Sequence, residues 1–466
     1  MVTAPTENEI SHWTTRLEGL ARDAGVPGAT LGVLAGEREF AVAHGVVNAA
    51  TGLTTTEDTL FQIGSITKVW TTTMIMQLVE EGQLSLDTAV ADLLPGVRMG
   101  RPDSAADIEV WHLLTHTSGL DGDVFTDTGR GDDSVETYVD GLADVPRAHP
   151  VGAAYSYCNA GFVVLGRIIE QLDGRSWDRS LRVRLVEPLG LTDTVTLPEE
   201  AILRRTAVGH RVRPRQDEPV STWQLPRSLG PAGLITATVH DVLRFARLHL
   251  DGGVAPDGTR LLSEASVKAM QQPLFAIPSM SGTESIGLGW RLNTWSGRPI
   301  FGHDGGTIGQ LAYLRIDPRE RVAVCLLTNS PESDSVYETL FAEVFASYAA
   351  VEMPPGPQPA APEVQPEGDR LARHVGRYER TSRRYDVSAQ GDRLQLVSTM
   401  LGDRALIGDE GPQTLELHPV DGTGDNFVCR AHPQEPWTAV SFARSADGSA
   451  YVHTGGRMTP RVNPRD

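Results

Sequence analysis

Lysine is nearly absent from this chain. Of its 41 basic residues only two are lysines, Lys68 and Lys268, and all the others are arginines. A guanidinium group stays protonated in proteins, so arginine cannot act as a base, whereas a buried lysine amine readily loses its proton. The first interpretation of Lys68, three residues after Ser65, is therefore a base that takes part in a reaction.

Cysteine is also scarce, with three residues far apart in the sequence: Cys158, Cys325 and Cys429. Their number and spacing exclude a disulfide framework and a cysteine-based zinc site. His112 and His116 have the i, i+4 spacing of some zinc sites, but the glutamate and third ligand of that pattern are missing. We therefore interpret both histidines as structural and predict neither a metal nor another cofactor.

Long hydrophobic runs are missing, and positive charge is in the minority. No apolar stretch approaches the roughly 18–20 residues of a membrane span, and residues 1–9 lack the basic and apolar regions of a signal peptide. The net charge of −19 over 466 residues argues against nucleic acid and anionic membranes as partners. These features predict a soluble, cytoplasmic protein.

Apolar periodicity predicts a mixed α/β architecture over the first 350 residues. A helix is expected from about 10 to 24, then a hairpin with strands at 28–34 and 39–43, and mainly helical segments from 87 to 230. Further strands are expected at 289–292, 299–302, 310–316 and 321–328, and a helix at 335–349. This order indicates an α/β sandwich with an all-α lobe.

The remainder of the chain has a different composition. Residues 351–368 contain six prolines and few apolar side chains, which is typical of a semi-rigid linker. Short alternating segments follow at 384–387, 394–397, 414–417, 426–429 and 450–453. We therefore predict a first, α/β domain at 1–350, a linker at 351–370, and a small all-β domain, a barrel or a sandwich, at 371–466.

Ser65 and Lys68 lie at the start of a run, 68–79, that predicts a buried helix. Side chains three residues apart share a helix face. The free N–H groups and dipole of the first helical turn also stabilise a negatively charged oxygen. A serine nucleophile with a lysine base is one interpretation of the pair. A helix-capping serine beside a surface lysine is the other, and the spacing alone does not separate them.

A second cluster contains Tyr157 and Asn159, which precede an apolar helix over 162–172. The tyrosine offers a phenol that can move a proton, and the asparagine offers an amide that can orient a substrate. Asn159 alone fits a helix cap equally well, because asparagine is favoured at that position. The pair is therefore a candidate for catalysis only in combination with other motifs.

A third cluster, His303-Asp304-Gly305, lies in the glycine-rich stretch 301–309. Glycines allow a strand backbone to approach a ligand closely, and His303 adds a hydrogen-bond donor. A surface histidine at the end of a glycine-rich hairpin is the alternative interpretation.

Taken together and in this order, the three clusters resemble the motifs of penicillin-binding proteins and class C β-lactamases. Those motifs are serine-x-x-lysine, tyrosine-x-asparagine, and lysine- or histidine-x-glycine on a strand. The stretch 108–120 is similar to the start of that family's helical lobe, and 230–234 is similar to a loop beside its active site. The resemblance covers about residues 10–350. It implies the fold that is shared by class C β-lactamases, which is an antiparallel sheet flanked by helices with an all-α lobe.

Carried over residue by residue, the resemblance implies an acyl-enzyme on Ser65. Lys68 and Tyr157 would share the general-base and general-acid work. Asn159 would position the substrate amide or Lys68, and His303 would take the place of the strand lysine. The oxyanion hole would use the backbone N–H groups of Ser65 and Gly306. The substrate-binding residues would be Asp304, Gly305 and Gly233.

Two departures from the family pattern bear on the activity. His303-Asp304-Gly305 replaces lysine-threonine-glycine, which weakens recognition of a penicillin carboxylate, and the separate deacylating glutamate of class A enzymes has no candidate. Both features favour the esterase, peptidase and acyltransferase branch over a true β-lactamase.

A hydrolase followed by a proline-rich linker and a small β domain is similar to the penicillin-binding-protein-type thioesterases, whose second domain resembles a lipocalin. This similarity implies release and macrocyclisation of a nonribosomal peptide with a D-configured C-terminal residue. The partners would be a peptidyl thioester or other acyl substrate and a carrier-protein domain of the synthetase. Arg457 follows a Gly-Gly turn and would present its guanidinium to the substrate, unless it is a surface residue of a hairpin. A cytoplasmic esterase or D-stereospecific aminopeptidase is the alternative; a non-catalytic binding protein is disfavoured by the intact motifs.

Overall fold

The computed structural model describes residues 5–100, 103–211, 215–280, 283–361, 364, 368–402, 411–432, 435–445 and 448–462. Its α-helices are Glu7–Ala24 (α1), Thr67–Glu80 (α2), Val90–Leu93 (α3), Val110–Leu114 (α4), Ser134–Asp140 (α5), Asn159–Asp173 (α6), Trp177–Leu181 (α7), Pro198–Ala201 (α8), Gly230–Gly233 (α9), Val239–Leu250 (α10), Glu264–Met270 (α11), Asp334–Ala349 (α12) and Gly368–Ala372 (α13). Shorter 3₁₀ turns occupy Gly64–Ile66, Gly141–Asp144 and Arg227–Leu229, and Arg182–Val186 forms a π-helical turn. Among the described residues, no helix combines the length and apolar content required to cross a membrane.

The strands of the first 350 residues are Gly28–Ala35 (β1), Arg38–Asn48 (β2), Leu53–Thr54 (β3), Phe61–Gln62 (β4), Thr194–Val195 (β5), Thr236–Ala237 (β6), Phe275–Met280 (β7), Thr283–Ile286 (β8), Arg291–Trp295 (β9), Arg298–Gly306 (β10), Leu311–Asp317 (β11) and Val322–Thr328 (β12). The second part contains Gly376–Arg380 (β13), Arg383–Gln390 (β14), Arg393–Met400 (β15), Gln413–Pro419 (β16), Asn426–Cys429 (β17), Thr438–Arg444 (β18), Ala450–Thr454 (β19) and Arg457–Val462 (β20).

Nine strands form one antiparallel sheet in the order β3-β2-β1-β12-β11-β10-β9-β8-β7. Strand β12 is buried along its whole length, because helices cover both faces of the sheet. On one face α1 and α12 bury apolar side chains such as Trp13 and Phe341 against the sheet. On the other face lies the larger core that includes α2, α6 and α10. This is the predicted class C β-lactamase-like α/β fold with an all-α lobe.

The predicted strand at 289–292 begins two residues later than expected, at Arg291. Gly289 has a φ of 74°, which is outside the extended range, and a β-carbon there would lie 2.3 Å from Oγ1 of Thr72. The backbone therefore turns tightly over helix α2 before β9 starts, a constraint that the apolar pattern does not show.

Strands β13 to β20 close into an eight-stranded antiparallel barrel, the lipocalin-like domain that the family resemblance implies. Five of these strands coincide with the alternating segments of the sequence. Strands β13, β18 and β20 were not predicted, because arginine and threonine interrupt the alternation that marks a half-buried strand. Of the predicted linker, 351–361 has no regular secondary structure, and 362–363 and 365–367 lie outside the described residues.

Candidate active site

Ser65 lies on a single 3₁₀ turn, Gly64–Ile66, that runs directly into helix α2. Gly64 has a φ of 52°, a left-handed conformation that glycine adopts without strain. One turn later, the Lys68 amine lies 3.0 Å from Oγ of Ser65 and donates a second hydrogen bond of 2.6 Å to the carbonyl oxygen of Ala232. The structure therefore brings the serine and lysine of the first motif into direct contact.

The surroundings of Lys68 disfavour its charged form. The side chain is completely buried, and this burial holds the pKa of the amine well below its usual value. The positive charges of Arg457 and Arg291 lower the pKa further, against a smaller opposing effect of Asp123. A neutral amine beside a serine hydroxyl can accept its proton, which is what general-base chemistry requires.

Tyr157 places its aromatic ring close to the Lys68 amine. Its ring centroid is 4.9 Å from Nζ of Lys68 and 5.5 Å from the guanidinium carbon of Arg291, and the ring stacks on His116 at 4.3 Å. Burial raises the pKa of the Tyr157 phenol, while Arg291 and the neighbouring Ser65 hydroxyl act in the opposite direction. The phenol therefore keeps its proton near neutral pH and can deliver it to a leaving group.

Strand β10 passes against the serine turn with almost no space between the two backbones. A β-carbon at Gly305 would lie 1.9 Å from the carbonyl oxygen of Ile63, and one at Gly64 would lie 2.7 Å from the backbone nitrogen of Gly306. Only glycine fits at Gly305. This approach places the backbone of Gly306 beside the Ser65 turn, as the predicted oxyanion hole requires.

His303 occupies the motif position of the strand lysine, but its environment is too buried for a charged side chain. Its ring has no solvent exposure, and burial, together with the charge of Arg291, holds its pKa well below the usual value. Nδ1 lies 2.7 Å from the carbonyl oxygen of Asp304. A neutral, fully buried imidazole behind the site cannot supply the positive charge that binds a penicillin carboxylate.

Asp304 lines the cleft, but two arginines already hold its carboxylate. Arg315 donates two hydrogen bonds of 2.6 and 3.1 Å, and Arg291 donates one of 3.0 Å. Burial acts to raise the pKa of Asp304, but the two guanidinium charges outweigh it and hold the pKa below the usual value. The Asp304 carboxylate is therefore ionised and positions the two arginines in the cleft wall.

Asp123 was not predicted, yet it connects the predicted site residues Asn159 and Arg457 with Arg380. Its buried carboxylate accepts hydrogen bonds from Nδ2 of Asn159 (3.0 Å), Nη1 of Arg380 (2.7 Å), and Nε and Nη2 of Arg457 (2.8 and 3.1 Å). Arg380 and Arg457 belong to the barrel. Asp123 therefore ties the barrel to the tyrosine-x-asparagine motif through charge-assisted hydrogen bonds.

Replacing Asp123 by asparagine is expected to reduce the free energy of unfolding by about 3 kcal/mol, because two arginines lose a buried counter-charge. It is also expected to lower kcat/KM, since Arg457 and Asn159 lose their common anchor. Denaturant unfolding and ester hydrolysis measure the two effects. Asp386→Asn, which removes the exposed partner of Arg377, is the control and should change little; equal effects of the two substitutions would contradict the role of Asp123.

The barrel forms part of the active-site wall. The backbone N–H of Tyr157 donates a 2.8 Å hydrogen bond to the carbonyl oxygen of Gly456, in the turn between β19 and β20. The Arg457 guanidinium lies 4.9 Å from the Tyr157 ring centroid. Arg457 therefore faces the site, as the sequence suggested, although Asp123 holds it in place.

A cleft of about 590 Å³ opens above Ser65. Among the predicted site residues, its lining includes Ser65, Tyr157, Asn159, Gly233, Asp304, Gly305, Gly306 and Arg457. Lys68 and His303 lie behind this lining. The other walls come from β9, β11, the start of α12, the segment after α12, and the barrel residues Pro436 and Trp437. Within the described residues, no group of three His, Cys, Asp or Glu side chains is arranged to hold a metal ion.

Comparison with known proteins gives three findings. Residues 13–347 match the family model described as Beta-lactamase. Penicillin-binding protein 4 of Amycolatopsis lactamdurans is 44% identical over 374 residues, which cover 79% of this chain and 97% of that protein. The crystal structure of SurE is similar with a TM-score of 0.79 and 27% identity over 98% of this chain and 99% of that one.

Two further similar structures are complexes of those proteins with a ligand. SurE with D-Leu aligns with a TM-score of 0.77 and 27% identity, over 98% of this chain and 100% of that chain. D-amino acid amidase from Ochrobactrum anthropi SV3, complexed with L-phenylalanine amide, aligns with a TM-score of 0.56 and 26% identity, over 68% of this chain and 90% of that chain.

Proposed function

The chain belongs to the β-lactamase and penicillin-binding-protein family of serine hydrolases, and we propose that it acts there as a thioesterase that releases and macrocyclises a nonribosomal peptide. The observation that carries the proposal is the 3.0 Å hydrogen bond between the fully buried Lys68 amine and Ser65. This contact supports an acyl-enzyme on Ser65, and the open cleft around it accommodates a chain longer than a single residue.

In the proposed first step, Lys68 takes the proton of Ser65 while Oγ bonds to the thioester carbonyl carbon. The backbone N–H groups of Ser65 and Gly306 stabilise the oxyanion. The carbon–sulfur bond then breaks, and the thiol leaves with a proton supplied through Lys68 or Tyr157. In the second step the peptide's own amine attacks the ester, its excess proton passes to the same groups, and Ser65 regains its hydrogen as the cyclic amide leaves.

The stereochemical part of the proposal is a D-configured residue at the acylating end. Two similar structures support it, since one is SurE with D-Leu and the other is a D-amino acid amidase. A carrier-protein domain of a synthetase is the proposed donor of the thioester. A D-stereospecific amidase, esterase or peptidase is the second candidate, which the similarity to the D-amino acid amidase favours.

The test is turnover of two peptidyl thioesters that differ only in the configuration of the C-terminal residue. We expect the D-terminal substrate to give a product one water lighter than the linear acid, detected by mass spectrometry, and the L-terminal control to react much more slowly. Linear acid alone from the D-substrate would favour the esterase or peptidase. Equal consumption of both substrates would contradict the stereochemical assignment.

A further inference from the structure

One wall of the cleft leads away from Ser65 along strand β9. Arg291, Asn293 and Trp295 alternate along the strand, so they share a face, and all three line the cleft. Arg291 lies beside the Tyr157 ring, whereas Trp295 packs edge-on against Phe345 of helix α12 at 5.0 Å. Asn293 therefore lies between the catalytic end of the cleft and helix α12.

Asn293 has an unused hydrogen-bonding group. The residue is 4% exposed, and its buried Nδ2 has no hydrogen-bond partner in the described part of the protein. A buried amide without a partner carries a substantial desolvation cost, and native proteins almost always satisfy such groups. Because this amide lines the cleft, a bound peptide backbone can supply the missing partner.

Beyond Asn293, the first turns of helix α12 bring two carboxylates to the cleft, Asp334 and Glu338. They are four residues apart and therefore lie on the same side of the helix. Asp334 accepts a 2.7 Å hydrogen bond from the Tyr313 hydroxyl. The Glu338 carboxylate lies beside Gly356, because its Oε1 is 3.8 Å from the position that a β-carbon of residue 356 would occupy. Within the described residues, neither carboxylate has a lysine, arginine or histidine nitrogen within ion-pair distance.

The charges of the cleft are thus unevenly compensated. Arg291 and Arg315 are paired with Asp304, and Arg457 is paired with Asp123. Asp334 and Glu338 instead lie near each other, and no described basic residue forms an ion pair with either of them. Burial and the negative charge of Asp334 raise the pKa of Glu338. Burial also raises the pKa of Asp334, and the charges of Asp304 and Glu435 act in the same direction. A positive group between the two carboxylates would relieve both effects.

We propose that Asn293, Asp334 and Glu338 form a subsite, here called the acidic arm, that binds a cationic side chain of the peptide substrate. The two carboxylates bind the ammonium or guanidinium group, and the Asn293 amide donates to a carbonyl of the adjoining backbone. The site is separate from the acyl group on Ser65, so it selects the peptide without taking part in bond formation. The proposal rests on the proposed function in that the ligand is a peptidyl substrate.

The acidic arm predicts a charge preference at one position of the peptide. The experiment uses a neutral, D-terminal peptidyl thioester in which a single lysine is moved through the sequence and compared at each position with norleucine. We expect lysine to raise kcat/KM about tenfold at one position, which corresponds to one charge-assisted hydrogen bond. Glu338→Gln should bring this ratio close to one, and Glu338→Lys should reverse it in favour of norleucine at that position.

Glu343→Gln is the matched control, because Glu343 lies on the same helix but pairs with Arg16 away from the cleft; it should keep the full lysine preference. A lysine preference that survives both Glu338 substitutions, or no preference at any position, would overturn the acidic arm. Binding of the linear lysine and norleucine peptide amides to the Ser65→Ala variant, measured by calorimetry, separates this result from the chemistry. Tighter lysine binding without thioester turnover would retain the subsite and reject the proposed function.

Discussion

Replacing Ser65 by alanine is expected to reduce turnover of any acyl substrate by about 10⁵–10⁶-fold, the loss typical when a serine hydrolase loses its nucleophile. The reason is structural. Ser65 Oγ is the hydroxyl that accepts the hydrogen bond of the buried Lys68 amine, and it lies at the floor of the cleft beside the backbone of strand β10. Without it, the amine has no nucleophile to activate.

Intact-protein mass spectrometry after reaction with a fluorophosphonate provides the direct measurement. The wild-type protein should gain one adduct, and peptide mapping should place it on Ser65, whereas the alanine variant should gain none. Ser85→Ala, at an exposed turn, is the control and should label normally. Substantial residual turnover, or labelling of another serine, would reject Ser65 as the nucleophile. Failure of the wild-type protein to label would instead point to a non-catalytic binding protein.

The sequence predicted which motifs meet because each motif is local. Ser65 and Lys68 are one helical turn apart, and the glycines of 305–306 mark a place where two backbones touch. The wider sandwich was predictable for a similar reason, since its buried strands carry continuous apolar runs. These features depend on neighbours in the sequence or on composition, which a single chain displays directly.

The site residues that could not be predicted from the sequence depend on contacts with residues far away in the chain. Asp123 lies 257 positions from Arg380 and 334 from Arg457, and no spacing pattern records such a contact. Asn293 looks in the sequence like an ordinary polar residue of a half-buried strand, and only the fold shows that its amide nitrogen has no partner among the described residues. His303 was expected to replace a charged lysine, but its burial depends on how β10 packs behind Tyr157.

The position of the barrel was indicated by the sequence only through the hypothesis that Arg457 reaches the substrate. Alternating segments indicated a separate β domain, but not where it would lie. In the structure, the Gly456 carbonyl in the turn between β19 and β20 accepts a hydrogen bond from the Tyr157 backbone N–H, and Arg457 reaches Asp123. The second domain therefore shapes the environment of the catalytic motifs, and its arginine contributes to the low pKa of Lys68.

Replacing Lys68 by arginine is expected to reduce kcat/KM by about 10²–10⁴-fold although the positive charge is kept, because that range is the usual contribution of a general base. Arginine remains protonated and cannot accept the Ser65 proton. The same substitution buries a permanent charge and can disturb folding, so Lys68→Met, which is uncharged and of similar length, serves as the second variant. Both proteins should lose activity, and thermal unfolding should show that the methionine variant stays folded. Near-normal rates in either variant would reject the base assignment.

The pH dependence of the wild-type enzyme tests the same assignment without a mutation. Burial and the charges of Arg457 and Arg291 place the pKa of Lys68 well below the usual value of lysine, and the amine is active only when it is neutral. kcat/KM should therefore rise with pH through this lowered pKa and become constant well below the pKa of a free lysine. The unfolded chain binds this proton more tightly than the folded protein, so the free energy of unfolding should also rise with pH over the interval between the two values. An activity that falls with rising pH across that interval would show that the protonated amine is the working form, and Lys68 would then act as an electrostatic stabiliser instead of a base.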